Sequence, residues 1–142
     1  MFSKEESKKL IQQFWTSFGK EYPHKWILYN TKIKELQLKF TFTPKFAQVS
    51  LDIGSQDEII RAYYFEKLIA LKTILQTDYF PKIEFDENYE LPEGKTISRI
   101  YLQLDEVSIH NKRDWPGVSR FLHAKMLLLE DFFIEHSGYL EA

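Results

Sequence analysis

Leu10, Ile11, Phe14, Trp15 and Phe18 recur at helical spacing near the start of the chain. Ser3 followed by Glu6 has the spacing of a capping box, so a helix over residues 3–21 is predicted. Tyr22-Pro23 ends it, because the residue before proline avoids the helical region. From Lys34 the period changes to two: Leu36, Leu38, Phe40 and Phe42 alternate with Gln37, Lys39 and Thr41. Beyond the turn-like Thr43-Pro44-Lys45, Ala47, Val49, Leu51 and Ile53 alternate with Gln48, Ser50 and Asp52. The two runs predict an antiparallel hairpin. The short aromatic and β-branched segment Trp26-Ile27-Leu28-Tyr29 predicts one more strand, closed by an Asn30-Thr31-Lys32 turn.

Gly54-Ser55-Gln56-Asp57 supplies loop and cap residues, and Ile60, Tyr64, Leu68, Leu71 and Leu75 then form one stripe, predicting a helix over 56–77. Ile83 and Phe85 suggest a short strand, and Ile100, Leu102 and Leu104 a clearer one, with an acidic loop from Glu87 to Lys95 between them. Asp114 is placed to cap a last helix with Pro116 in its first turn. Val118, Leu122, Met126, Leu129 and Phe133 form its apolar face, and Gly138 is its expected stop. The expectation is a single α+β domain over 1–142, in the order α-β(2 or 3)-α-ββ-α, with a mainly antiparallel sheet packed with helices.

Composition narrows the chemistry. Zero cysteines exclude a disulfide framework, a thiolate metal site and a thiol nucleophile. The longest uninterrupted aliphatic run, Met126 to Leu129, is far short of a membrane span, and the charged start Ser-Lys-Glu-Glu-Ser-Lys-Lys is unlike a secretory leader. A cytoplasmic protein without a membrane partner is expected. Charge is polarised: residues 1–50 hold nine lysines against four acids, and residues 51–110 hold six basic against twelve acidic side chains. Lys4, Lys8, Lys9, Lys32, Lys34, Lys39 and Lys45 are the lysines a nucleic-acid partner would use, although the pI near 6 favours ordinary solvation. Twelve Phe, eight Tyr and three Trp exceed what three helices and a small sheet require, which points to a protein interface or self-association.

Catalytic spacings fail one by one. Gly94-Lys95-Thr96 resembles the end of a phosphate-binding loop, but position 89 is Tyr where that loop needs glycine. His24, His110, His123 and His136 fall at no metal spacing, and no metal or other cofactor is expected. Ser119 and His123 are helical neighbours with no nucleophile elbow. The element order is also that of restriction-endonuclease-type cores, where Asp52 with Glu5 or Glu6 would be the acids. The strand offers no Asp-X-Lys or Glu-X-Lys, so such a core would lack a complete site.

Three segments, Trp26-Ile-Leu-Tyr29-Asn30-Thr31, Ser98-Arg99-Ile100-Tyr101 and Asn111-Lys112-Arg113-Asp114-Trp115-Pro116, resemble in that order the bacterial family listed as domain of unknown function 4268. Phe14-Trp15 and Tyr63-Tyr64-Phe65-Glu66 fit as well. Members occur as free-standing proteins and behind nuclease-like modules, so the resemblance implies an accessory role near nucleic-acid processing and no catalytic residues. Physically, Asn111 to Pro116 reads as a helix start with Trp115 packed beneath it. The sharper expectation is that Asn30, Arg99, Asn111, Lys112 and Arg113 gather near Trp26 and Trp115 into a recognition surface. There Arg99, beside Tyr101, would hold a carboxylate or phosphate with its planar fork. A non-catalytic adaptor for a protein partner is the leading expectation, and a nucleic-acid-associated domain the alternative.

Overall fold

A computed structural model describes residues 2–142. Helix α1 (Lys4–Glu21) begins with the predicted capping box: Ser3 Oγ accepts from Glu6 N–H, and the Glu6 carboxylate accepts from Ser3 N–H. Strands β1 (Leu36–Phe42) and β2 (Phe46–Ile53) form the predicted hairpin, with Leu38 opposite Leu51 and Phe40 opposite Val49. Helix α2 (Glu58–Ala70) is capped by Asp57, whose carboxylate accepts from Ile59 and Ile60 N–H. One turn of helix, α3 (Lys72–Ile74), and a π-helical turn at Leu75–Tyr79 follow, then β3 (Glu84–Glu90), β4 (Thr96–Asp105), a 3-10 turn at Lys112–Asp114 and α4 (Trp115–Glu141). The four strands pair in the order β1-β2-β4-β3, every pair antiparallel.

The alternation read from the sequence decides what each sheet face meets. Leu36, Leu38, Ala47, Val49, Leu51, Ile53 and Ile100 share one face and are buried against Phe14, Phe18, Phe65, Leu68, Val118, Leu122, Met126 and Leu129 of the helices. Most of the aromatic excess lies here. Rings run in contact from Trp115 through Phe14, Trp15 and Phe40 to Trp26, with centroids 4.9 to 6.0 Å apart. Phe14 sits at the junction of α1, β1 and α4, so its truncation to Ala should cost about 3–5 kcal/mol.

Four expectations are corrected. Trp26–Tyr29 is not a strand. Ile27 N–H goes to Glu130 Oε2 at 2.7 Å, Leu28 C=O accepts from Leu38 N–H at 2.9 Å, and Leu28 itself turns into the left-handed region at φ 47°. Strand β3 extends through Glu90 into the predicted acidic loop, because pairing with β4 outweighs the polar composition and leaves only a Leu91–Lys95 turn. Asp114 does not cap α4 with its side chain; its carboxylate reaches back to Ser108 N–H at 2.9 Å, while Asn111 accepts from Arg113 N–H. Helix α4 passes Gly138 because Leu140 is fully buried and Lys67 Nζ caps the final carbonyls of Tyr139 and Ala142.

Candidate functional site

The sheet face turned away from the helices is polar and closely packed. Register places Asp52 of β2 opposite Arg99 of β4, Ser50 opposite Tyr101, and Gln48 opposite Gln103. Arg99 donates from Nε to Asp52 Oδ1 at 2.7 Å and from Nη2 to Asp52 Oδ2 at 2.8 Å, a two-point fork. Its third group, Nη1, donates to Gln48 Oε1 at 2.8 Å, and Gln48 passes the chain on to Gln103 Oε1 at 2.8 Å. The Tyr89 ring lies over the guanidinium, 4.3 Å from its carbon, and Tyr101 meets that ring edge-on. Arg99 is only 2% exposed and Asp52 1%, although no helix covers this face among the described residues. Tyr89 stacks over the guanidinium, and Asp52 and Gln48 bond its edges.

Electrostatics hold Arg99 and Tyr101 in their protonated forms. Burial alone would lower the Arg99 pKa, but the hydrogen-bonded charge of Asp52 outweighs it, so the guanidinium is held charged more firmly than usual. Tyr101 is pushed above the ordinary phenol value by burial, then by the charges of Glu84, Tyr89 and Asp86, with Arg99 opposing. It remains a hydroxyl donor at neutral pH. Arg99 and Tyr101 are therefore fixed donors on this face. The hydroxyl oxygens of Thr41 and Ser50 on the same face are buried without a hydrogen-bond partner among the described residues.

The predicted recognition surface is not assembled as one patch. Arg99 and Tyr101 stand on the open face. Trp26 packs on Phe40 and His123 on the helix side of the sheet, and Asn30, exposed, closes a turn through its N–H to Ile27 C=O. Asn111, Lys112 and Arg113 lie exposed in the 3-10 turn. Lys112 Nζ stands 5.6 Å over the Trp115 ring, while Trp115 Nε1 donates to Ile109 C=O at 2.9 Å. Trp26 and Trp115 are separated by three intervening rings. The residues that join Arg99 are Asp52, Gln48, Gln103 and Tyr89. Alternation placed the first three on its side of the sheet, but Tyr89 carried no signal because its segment reads as an acidic loop.

The acids considered for a nuclease-like site do not converge. Both Asp52 oxygens are held by Arg99, and Glu6 is held by Ser3 at the start of α1. No three candidate metal ligands come together among the described residues. Ser7 Oγ meets His110 Nε2 at 2.8 Å, but no carboxylate is hydrogen-bonded to that imidazole among the described residues, so the pair lacks the orienting group of a triad. No described helix is long and apolar enough to cross a membrane.

Fold and face together define an α+β domain whose single antiparallel sheet carries helices on one side and an organised polar layer on the other. A family model described as Domain of unknown function (DUF4268) matches residues 10–137, and the chain belongs to that family. No curated protein and no solved structure matches it.

Proposed function

We propose that the chain is a non-catalytic binding domain that recognises a protein partner through the open face of its sheet. The observation that carries this reading is the Tyr89–Arg99–Asp52 stack. Arg99 is itself buried and acts by holding the Tyr89 ring in place, so that Tyr89 and Tyr101, both half-buried, form a rigid, preorganised aromatic pair of the kind enriched at protein interfaces. Fixed side chains lose little freedom on binding, which is the main cost an interface must offset. The charge balance of the face favours a protein over a polyanion: Glu84, Asp86 and Asp105 outnumber its one lysine among the described residues, Lys39 of β1, and the positive charge of Arg99 is already matched by Asp52. The lack of cysteine fits a cytoplasmic address.

The test is capture of partners from lysate of the source organism, with and without nuclease, by the wild-type chain and by Tyr101→Asp. Proteins that survive nuclease and are lost with Tyr101→Asp support the reading. A nucleic-acid partner would instead engage Lys4, Lys8 and Lys9, survive Tyr101→Asp and weaken steeply with salt.

A further inference from the structure

We propose that the free edge of β1 accepts an added strand from a partner protein: an extended acidic segment with apolar residues at alternate positions. This rests on the reading of the chain as a binding domain and assigns it a second surface. β1 is an outer strand of the sheet. Gly54 N–H donates to Glu35 C=O, so Gln37, Lys39 and Thr41 turn their backbone toward β2, and Leu36, Leu38 and Phe40 turn theirs outward. Part of that outer edge is already used. Leu36 N–H goes to Ile33 C=O, Leu36 C=O accepts from Thr31 Oγ1, and Leu38 N–H goes to Leu28 C=O. The carbonyl of Leu38 and both backbone groups of Phe40 have no partner among the described residues, which is the template an incoming strand needs.

A groove of about 310 Å³ lies along this stretch and touches the successive residues Gln37, Leu38, Lys39 and Phe40. Side chains alternate across a strand, so a groove that meets four in a row follows the strand's edge. Trp15, Leu28 and Tyr29 complete its walls. Tyr29 is 82% exposed, and Leu28, in the left-handed region at φ 47°, sets the turn that presents it. A bulky residue held in that region is uncommon and marks a geometry that its surroundings enforce.

Charge selects the occupant. Lys32, Lys34, Lys39 and Lys45 surround the edge, and none is within ion-pair distance of a carboxylate among the described residues. Strand β3 of a second copy is acidic enough to fit, but its pairing is interrupted by a bulge between Asp86 and Tyr89, a device that blocks edge-to-edge growth. A strand from another protein is therefore the assigned occupant.

The probe is a display library of random peptides selected on the purified full chain, with the best binder then synthesised. The expected binder alternates apolar residues with Asp or Glu. Its affinity should fall roughly tenfold or more with Tyr29→Ala, with Lys34→Glu plus Lys39→Glu, and when alternate peptide amides are N-methylated. Tyr101→Ala should leave it unchanged, which separates this surface from the open face. Tyr29 is solvent-exposed, so its variant retains the fold, as circular dichroism would check. The proposal is overturned if no peptide is enriched, if the binders are basic, or if N-methylation has no effect. A mass that doubles with concentration and is abolished by Lys34→Glu plus Lys39→Glu would overturn it in favour of a second copy.

Discussion

Arg99 and Asp52 face each other across the two central strands and are joined at two points, at 2.7 and 2.8 Å, on a sheet face that no helix covers among the described residues. A buried ion pair is not in itself a strong source of stability, because desolvating both charges offsets most of their attraction. Here the pair also fixes the plane on which Tyr89 rests and the amide orientation of Gln48. It gives the face a shape as well as a charge pattern.

Breaking the pair from one side should therefore be severe. Asp52→Ala leaves an unmatched buried guanidinium and should cost about 3–5 kcal/mol, read as a lower urea midpoint. Asp52→Leu combined with Arg99→Met should recover most of that stability while losing partner binding, separating folding from recognition.

Glu130 performs a similar task on the helix side. Its buried carboxylate accepts from Ile27 N–H at 2.7 Å and meets His24 Nε2 at 3.0 Å, tying the segment before β1 to α4. Glu130→Ala should cost about 1–3 kcal/mol and expose residues 24–31 to rapid amide exchange, with the β1–β2 ladder still protected.

The phenols of Tyr64, Tyr79 and Tyr101 are all raised above 10.0, by burial first and then by Glu35, Glu135 and Glu84 respectively. As pH rises past that value the unfolded chain releases these protons before the folded one, so stability falls with pH. The contribution is complete below the ordinary phenol value and is lost as pH passes the raised folded values. Urea midpoints through the alkaline range should show this decline, and Tyr64→Phe, Tyr79→Phe and Tyr101→Phe together should flatten it.

Lys32 is exposed at φ 66°, a conformation that disfavours any residue with a Cβ. Lys32→Gly should raise stability by up to about 1 kcal/mol, the relief of strain exceeding the extra freedom glycine gains when unfolded. A higher thermal midpoint is the readout.

Where local pattern and tertiary environment agree, the elements were legible. Ser3 and Glu6 mark the start of α1, and the alternation from Leu36 to Ile53 gives the hairpin with its core face. Misreadings arose where distant residues decide local structure. Glu130, 103 positions from Ile27, takes the N–H that a strand at Trp26–Tyr29 would have used. Lys67 allows α4 to run through Gly138, and pairing with β4 turns an acidic stretch into β3. The same cause hid the site. Arg99 stands out as a planar cation on a strand, but its partner follows only from β2 lying beside β4, a neighbour relation with a helical segment and β3 between the two strands. Tyr89 is brought over Arg99 across a bulge that alternation does not encode.

The most direct test of the binding-face account is site-specific photocrosslinking in the source cells, with the crosslinking residue at Glu84 on the open face and, as a control, at Gln13 on the exposed side of α1. The account predicts a discrete protein adduct from position 84 that resists nuclease and is absent from position 13. No adduct at position 84, or one that nuclease removes, would contradict it.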